Sequence, residues 1–288
     1  MNATPATATF TLGASGEDPM TVRRLGFGAM RITGPGIWGD PADLDVARSV
    51  LRQSIDLGVN FIDTADSYGP EVSERLIREA LHPYTDVLIA TKGGLTRQGP
   101  DQWAPVGRPE YLRQCVHMSL RRLGLDRIDL WQLHRIDPAV PAEDQFGVIN
   151  DMVNEGLIRH VGLSEVSVDD VIAASEFLDV VSVQNLYNVS NRQSEKLVNY
   201  ASEHGIGFIP WFPLGNRALV AEDGPLGATA QRLGCTPGQV ALAWLLQHSP
   251  VMLPIPGTGS LAHLTENCDA ANVELDDEAR ATLAHISD

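Results

Sequence analysis

Short apolar runs alternate with longer amphipathic runs along almost the whole chain. A short apolar run bounded by Gly, Pro, Asp or Asn is typical of a strand. Eight runs fit this description, and they are Arg24–Ala29, Asn60–Ile62, Val87–Thr91, Ile128–Leu133, Ile158–Leu163, Val180–Val183, Gly207–Ile209 and Met252–Ile255. The pattern therefore predicts eight strands.

The runs between these strands repeat their apolar residues every three or four positions, which is the spacing of one helix face. In Leu44–Leu57 the apolar positions are Leu44, Ala47, Val50, Leu51 and Ile55. The other helical patterns are Glu71–Leu81, Pro109–Leu123, Glu143–Glu155, Val168–Phe177, Gln193–His204 and Pro237–Gln247. Gly58 and Gly156 stand just past two of these helices, where a positive φ favours glycine.

A strand–helix order repeated eight times has two main solutions, an open doubly wound sheet and a closed barrel. Eight units within roughly 250 residues favour the barrel, and no G-x-G-x-x-G follows an early strand. The predicted fold class is α/β, a (β/α)8 TIM barrel that occupies residues 1–288 as a single domain. Thr9–Leu12 and Thr21–Arg23 predict an N-terminal β-hairpin that plugs one end, and Asp276–His285 predicts an extra C-terminal helix.

The charge balance narrows the range of partners. Lys and Arg total 21 and Asp and Glu total 37, so the formal net charge is −16. Nucleic acids and anionic membrane surfaces are themselves polyanions, so neither is an expected partner. The three cysteines lie far apart without metal-ligand spacing, which indicates free thiols in a reducing compartment and no metal site. With no signal-like start and no apolar run near ~18 residues, we expect a cytoplasmic protein.

Polar side chains follow the predicted strands at their carboxyl ends, where barrels of this type carry their active sites. Asp63 and Tyr68 follow the second strand, and Lys92 and His134 follow the third and fourth. A Lys ammonium held by Asp63 favours the phenolate form of Tyr68 and is expected to lower its pKa. A neutral His134 can hydrogen-bond a carbonyl oxygen beside the Tyr68 hydroxyl. Together these groups predict protonation of an oxygen while hydride reaches carbon.

Each of these residues also has a plainer interpretation when it is taken alone. Asp63 fits a loop cap, His134 fits a structural histidine, and Lys92 fits a Schiff-base lysine or a phosphate contact. Only two residues of the chain are lysines, Lys92 and Lys196, against 19 arginines. A compact cation suits a tyrosine acid better than a planar guanidinium does, so a Lys at a strand end is informative.

Five segments of the chain form distinctive motifs, and they are Gly58–Gly69 (GVNFIDTADSYG), Ala90–Gly93 (ATKG), Leu130–His134 (LWQLH), Val161–Ser164 (VGLS) and Ile255–Thr258 (IPGT) with Glu266 and Asn267 downstream. Together these segments resemble the signatures of one family, the aldo-keto reductases. The resemblance covers nearly the whole chain. It implies a (β/α)8 barrel that binds NADPH and reduces carbonyl compounds.

The resemblance also assigns roles residue by residue. It makes Asp63, Tyr68, Lys92 and His134 the catalytic tetrad, with Tyr68 as the general acid. It places Ser164 and Gln184 at the nicotinamide carboxamide, and Trp211 under the nicotinamide ring. The remaining implied cofactor residues are Leu214, Gly215 and Asn216 at the pyrophosphate, Gly257, Thr258, Ser260 and His263 at the adenosine phosphate, and Glu266 and Asn267 at the adenine.

Two positions depart from the family pattern. Glu165 stands where the family usually has Asn, which affects one hydrogen bond to the carboxamide. His263 stands where an Arg often contacts the 2′-phosphate, and a neutral His offers a weaker contact than a bidentate Arg. NADPH remains the predicted cofactor, with NADH as the alternative. A surface residue of a helix is the other interpretation of His263.

Two further segments, Gly28–Gly39 and Phe208–Gly215, are similar to the bacterial family members that include pyridoxal reductase. On this basis Met30, Trp38, Trp103 and Phe212 are expected to form an apolar or aromatic wall. Such a wall suits a small aromatic aldehyde or ketone, for example pyridoxal.

Two other functions stay open from the sequence. One is a regulatory or binding subunit on the same fold that senses redox state. The other is a Schiff-base aldolase that uses Lys92. An aldolase needs no nicotinamide site, whereas Ser164, Gln184 and the segment Ile255–Asn267 suggest that one is present.

Overall fold

The computed structural model describes residues 8–216 and 218–286. Residues 1–7, the start of the chain for which no signal peptide is expected, lie outside the described residues. No helix of the described part is both long and apolar enough to cross a membrane.

Seven parallel strands form one curved sheet. In chain order they are β3 (Phe27–Gly28), β4 (Phe61–Asp63), β5 (Leu88–Gly93), β8 (Ile128–Leu133), β9 (Ile158–Ser164), β10 (Val180–Leu186) and β11 (Gly207–Trp211). Strands that are consecutive in this order are hydrogen-bonded to each other in parallel. Two antiparallel hairpins stand apart from the sheet, β1 (Thr9–Leu12) with β2 (Met20–Arg23) and β6 (Leu95–Gly99) with β7 (Gln102–Pro105).

The eighth predicted strand, Met252–Ile255, closes the ring without forming a regular strand. The Phe208 N–H donates to the Val251 carbonyl at 2.9 Å, and the Leu253 N–H donates to the Phe208 carbonyl at 2.8 Å. On the other side the Gly26 N–H donates to the Pro254 carbonyl at 3.0 Å. Proline has no N–H for a strand ladder, so Pro254 explains why the pairing is irregular. The segment nevertheless links β11 to the chain before β3, and the (β/α)8 barrel is confirmed.

Ten α-helices are present in the described residues. They are α1 (Leu44–Asp56), α2 (Val72–Leu81), α3 (Pro109–Leu123), α4 (Ala142–Asn154), α5 (Val168–Ala174), α6 (Glu195–His204), α7 (Gly227–Leu233), α8 (Pro237–His248), α9 (Leu261–Asp269) and α10 (Asp277–Ala284). The sequence patterns did not predict α7 and α9. The predicted C-terminal helix is α10, which begins after the side-chain cap of Asp276.

The N-terminal hairpin plugs the barrel, as predicted. Leu12, Met20 and Val22 of the hairpin are buried in one apolar cluster with Phe61 and Leu88, which stand at the start of β4 and β5. The amino ends of the strands are therefore filled with apolar side chains. This leaves the carboxyl ends as the place where polar groups gather.

Candidate active site

The strand register brings five polar side chains to the carboxyl ends of the barrel. Asp63 is the last residue of β4, and Lys92 in β5 stands level with Gln132 in β8. Further round the barrel, Gln184 in β10 stands level with Ser164 in β9. In a parallel sheet these level positions share one edge, so side chains from different strands meet there.

At the centre of this edge lies a fully buried ion pair. Lys92 Nζ donates to Asp63 Oδ1 at 2.6 Å and to the Thr64 carbonyl at 2.8 Å. Lys92 is 0% exposed and Asp63 is 1% exposed. The second carboxylate oxygen, Asp63 Oδ2, accepts from the side-chain amides of Gln132 at 3.0 Å and Gln184 at 2.9 Å. A buried charge is tolerable only when it is paired and hydrogen-bonded, and here both conditions hold.

Tyr68 lies directly against this pair. Its hydroxyl is 3.4 Å from Lys92 Nζ, and the residue is 7% exposed. Burial raises the pKa of Tyr68 more than the Lys92 charge lowers it. The prediction that the pKa of Tyr68 is lowered is therefore wrong for the net shift. The cost of removing the phenolate from water exceeds the stabilisation that the Lys92 charge provides. A hydroxyl that keeps its proton near neutral pH is suited to act as an acid.

The other two members of the predicted set, Lys92 and His134, differ in charge at neutral pH, since one is a cation and the other is neutral. Burial alone would lower the pKa of Lys92, but its interactions with Asp63 and Tyr68 together outweigh burial, and the pKa is raised. Burial, and then the positive charge of Lys92, holds the pKa of His134 well below its usual value. His134 is thus neutral, as predicted, and its Nδ1 lies 3.4 Å from the Ser67 hydroxyl.

Part of the predicted aromatic wall stands over this centre. Trp103 packs edge-on against Tyr68, with ring centres 6.3 Å apart, and against His134 at 6.4 Å. Trp38 is 38% exposed and pairs through its backbone with Gly69. Phe212 is 43% exposed and packs against Trp211 instead, with ring centres 6.1 Å apart. Met30, in a short 3₁₀ turn after β3, is half-buried.

Glu165 is tied into the predicted nicotinamide region. One of its carboxylate oxygens accepts from the Trp211 indole N–H at 2.5 Å and from the Leu186 N–H at 2.8 Å. This residue adopts a positive φ of 55°. The side chain that departs from the family pattern therefore fixes the ring of Trp211.

Arg135 follows His134 and was not among the predicted site residues. Its guanidinium donates to the Ser164 hydroxyl at 3.0 Å and to the His134 carbonyl. Gln132 was missed as well, although it lies near the end of β8, two residues before His134, and alternate positions of an extended chain point to the same face. Arg135 gave no such periodic signal.

The predicted phosphate and adenosine residues lie on loops and at the start of α9. Leu214, Gly215 and Asn216 follow β11, where Gly215 has a positive φ of 61°. Ser260 caps α9, since its hydroxyl accepts from the His263 N–H at 3.4 Å. His263 is an exposed surface residue of that helix.

Two of the remaining residues of this segment have side-chain hydrogen-bond partners within the protein. Thr258 accepts at its hydroxyl from the Ser260 N–H at 3.0 Å, and Glu266 accepts from the Thr236 hydroxyl at 2.6 Å. Asn267 is buried. Gly257 lies against Arg31, because a Cβ on Gly257 would stand 3.6 Å from Arg31 Cγ. Arg31 is exposed, and its place beside this glycine was not visible in the sequence.

A cavity of about 260 Å³ lies between the loop after β4, β6 and α3. Asp66 lines it with one carboxylate oxygen buried and without a hydrogen-bond partner among the described residues. Burial, and then the charge of Glu74, raises the pKa of Asp66 to about 7. The backbone of Asp66 also supports the centre, since its N–H donates to the Lys92 carbonyl at 3.1 Å.

Comparison with known families identifies the chain. The model of the aldo/keto reductase family matches residues 24–288. The chain belongs to the aldo/keto reductase family. It is 57% identical to an uncharacterised oxidoreductase of Schizosaccharomyces pombe over 92% of this chain and 86% of that one. It is 44% identical to the pyridoxine 4-dehydrogenase of Escherichia coli over 97% of this chain and 98% of that one.

Solved structures of family members share the fold. A thermostable aldo-keto reductase crystallised with the inhibitor epalrestat is 28% identical and superimposes with a TM-score of 0.83, over 96% of this chain and 99% of that one. An aldo-keto reductase of Klebsiella pneumoniae, crystallised with NADPH, is 24% identical and has a TM-score of 0.80, over 96% and 93%. The protein is therefore an oxidoreductase of the aldo/keto reductase family with the family's barrel.

Proposed function

We propose that the protein is an NADPH-dependent reductase that converts an aldehyde or ketone to an alcohol, with Tyr68 as the proton donor. One observation carries this proposal. The protonated Tyr68 hydroxyl stands 3.4 Å from a Lys92 ammonium that is itself held by Asp63, beside a neutral His134. This arrangement supplies a proton and stabilises the phenolate that remains after its transfer.

The four side chains divide the chemistry among them. NADPH, when bound, supplies the hydride to the carbonyl carbon. Tyr68 gives its proton to the carbonyl oxygen, and the neutral imidazole of His134 donates a hydrogen bond to the same oxygen. Lys92 lies close enough to stabilise the phenolate by charge, while Asp63 keeps the ammonium protonated and in place.

The residues present fit the cofactor. The Trp211 ring is held by Glu165, which prepares a flat surface for a nicotinamide ring. Ser164 and Gln184 stand level on neighbouring strands, and the Gln184 amide nitrogen is engaged by Asp63, so its oxygen is left to accept from a carboxamide. At the other end, the first turn of α9 offers backbone N–H groups to a phosphate.

We assign the residues of the loop after β11 and those around the first turn of α9 to the cofactor's phosphates. They are Leu214, Gly215 and Asn216 after β11, Gly257, Thr258, Ser260 and His263 near α9, and the additional cation Arg31. Glu266 and Asn267 are assigned to the adenine. Arg31 is the cationic side chain of this set and, together with His263, it supports NADPH as the preferred cofactor over NADH.

The substrate class follows from the wall above Tyr68. Trp103 and Trp38 offer aromatic faces, and Met30 and Phe212 are assigned to the outer part of the same wall. A small aromatic carbonyl compound fits such a surface. The 44% identical relative is a pyridoxine 4-dehydrogenase, which supports pyridoxal as the first substrate to test.

The two alternative functions are less well supported. A Schiff-base aldolase needs an uncharged lysine, but the Asp63 carboxylate raises the pKa of Lys92 despite burial. A purely regulatory subunit does not require the neutral His134 and protonated Tyr68 that the site holds together. A single catalytic domain that works in the cytoplasm is the setting we propose for the activity.

The test is Tyr68→Phe with pyridoxal as the carbonyl substrate. We expect the rate of NADPH oxidation to fall by about 10³-fold, since a general acid contributes ~10²–10⁴-fold. NADPH affinity, measured by quenching of tryptophan fluorescence, should stay within about threefold because Tyr68 is not assigned to the cofactor. The matched control is Tyr200→Phe on α6. Near-full turnover by Tyr68→Phe, with a rate like that of Tyr200→Phe, would show that the assignment of the acid is wrong.

A further inference from the structure

Arg97, on β6, binds main-chain carbonyl groups with every N–H of its guanidinium. The five acceptors are the carbonyl oxygens of Gln102 (3.0 Å, from Nε), Ile37 (2.6 Å) and Ser67 (2.8 Å, both from Nη1), and Gly36 (2.9 Å) and Gly99 (3.2 Å, both from Nη2). A guanidinium has five N–H donors. The side chain is thus completely satisfied by backbone oxygens, and we call Arg97 with these five carbonyls the Arg97 clamp.

The clamp joins three separate segments of the chain. Gly36 and Ile37 belong to a short 3₁₀ turn in the segment between β3 and α1, and Gly99 and Gln102 belong to the β6–β7 hairpin. Ser67 lies in the loop after β4 and immediately precedes Tyr68. One side chain therefore fixes the backbone beside the proposed acid relative to the two segments that carry Trp38 and Trp103.

The same guanidinium supports the rings of that wall. Its central carbon lies 3.6 Å from the ring centre of Trp103 and 5.6 Å from that of Trp38. A cation at such distances from an aromatic face is attracted to it. Trp103 is the ring that packs edge-on against Tyr68 and His134. Its orientation over the proposed reaction centre thus depends on Arg97.

Lysine cannot replace this function. Its ammonium carries three N–H groups on one atom, whereas the five acceptors are spread around a planar fork. A lysine also loses the flat face that stacks on Trp103. The geometry therefore requires the shape of arginine as well as its charge.

We propose that Arg97 is a positioning residue that sets the shape of the substrate wall, and that it thereby determines which carbonyl compounds the enzyme accepts. This inference rests on the proposed function for its kinetic consequence. The structural part, that Arg97 holds the turn at residues 35–37 and the β6–β7 hairpin against the loop before Tyr68, is independent of it.

The kinetic test compares Arg97→Lys with wild type on an aromatic substrate, 4-nitrobenzaldehyde, and a small aliphatic one, propanal. We expect KM for 4-nitrobenzaldehyde to rise by about tenfold, while KM for propanal and both kcat values change by less than about threefold. NADPH affinity should be unchanged. The matched control is Arg280→Lys, whose guanidinium is exposed on α10 and pairs with Asp277.

The outcomes separate positioning from a general structural role. A variant with unchanged KM for both aldehydes would overturn the proposal. Equal losses on both aldehydes, accompanied by weaker NADPH binding, would also overturn it, since they would indicate a general loss of structure. In Arg97→Ala, added ethylguanidinium should restore the preference for the aromatic aldehyde, and failure to restore it would count against the clamp.

A second measurement needs no turnover. Hydrogen–deuterium exchange of Arg97→Lys should be faster than wild type in residues 34–39 and 99–105, and unchanged in residues 158–186, which form β9, α5 and β10. Unchanged exchange in the first two segments would contradict the clamp. A wild-type protein that reduced no carbonyl compound would contradict the proposed function, while this exchange comparison would still decide the role of Arg97.

Discussion

Lys92 and His263 stand at the two ends of the candidate site in opposite environments. Lys92 has no exposure to solvent, and its ammonium forms an ion pair with Asp63, with Nζ and Oδ1 2.6 Å apart. His263 is exposed on the first turn of α9. Removing one partner of a buried ion pair strongly destabilises the protein, because the other charge stays buried without a partner. Removing an exposed group changes binding affinity only by small factors, because water takes over its contacts. We therefore place the proposed chemistry in the interior of the barrel and expect the proposed cofactor preference to be adjustable at its surface.

The largest effect is expected at the buried end, from Lys92→Met. Turnover should fall by at least about 10³-fold, because the Tyr68 phenolate then forms without a neighbouring cation. The free energy of unfolding should drop by ~3–5 kcal/mol, since Asp63 is left buried without a partner. Steady-state rates and urea unfolding measure the two effects.

The chain offers a matched control for this change. Lys196, the second lysine, is exposed on α6, so Lys196→Met should leave both turnover and stability close to wild type. Similar losses of turnover and stability in the two variants would contradict the expected difference between the buried and the exposed lysine.

An intermediate effect is expected from Asp66→Asn, at the cavity beside the buried end. Burial and Glu74 raise the pKa of Asp66 from 3.8 to about 7. Between these values the folded protein keeps a proton that the unfolded chain has lost, so the free energy of unfolding decreases as pH rises from 4 to 7. The loss is complete above the folded pKa.

Asp66→Asn removes this titration. Between pH 4.5 and pH 8 we expect the free energy of unfolding of the variant to rise, relative to that of wild type, by on the order of a few kcal/mol. Each pKa unit of difference between the folded and unfolded states is worth ~1.4 kcal/mol. Urea unfolding at both pH values measures the gain. The exposed Asp223→Asn is the control and should follow wild type. A difference between Asp66→Asn and wild type that does not vary with pH would refute the assigned titration.

The smallest effect is expected at the exposed end, from His263→Arg. A guanidinium there should bind the 2′-phosphate by two hydrogen bonds and tighten NADPH by about tenfold or less relative to NADH. Fluorescence titration with both cofactors measures the ratio, and His285→Arg at the end of α10 is the control. Equal tightening of NADPH and NADH would remove His263 from the phosphate site.

The barrel strands and the buried ion pair were accessible from the sequence for a simple reason. Strand ends in a barrel meet at one edge, so Asp63 and Lys92 on successive predicted strands had to lie close together. The helix Pro109–Leu123 has the predicted bounds, because Pro109 favours its first position and Gly124, with φ of 72°, ends it.

Features that depend on distant contacts could not be predicted. The β6–β7 hairpin has no clear alternation of apolar residues, and its geometry depends on Arg97 contacts with Gly36 and Ile37, about 60 positions earlier in the chain. The net pKa shift of Tyr68 depends on how deeply the residue is buried, which the sequence does not show. The eighth strand was recognised by its apolar run, but the effect of Pro254 on its pairing was not.

The burial of Lys92 also determines how the protein responds to amine-reactive chemistry. Acylating and cross-linking reagents attack uncharged, accessible amines, and of the two lysines only Lys196 is exposed to them. Its position on α6 gives the folded protein a single side-chain attachment point for a dye or a solid support. Labelling at that point would leave the ammonium beside Tyr68 untouched, so an immobilised sample should keep its chemistry.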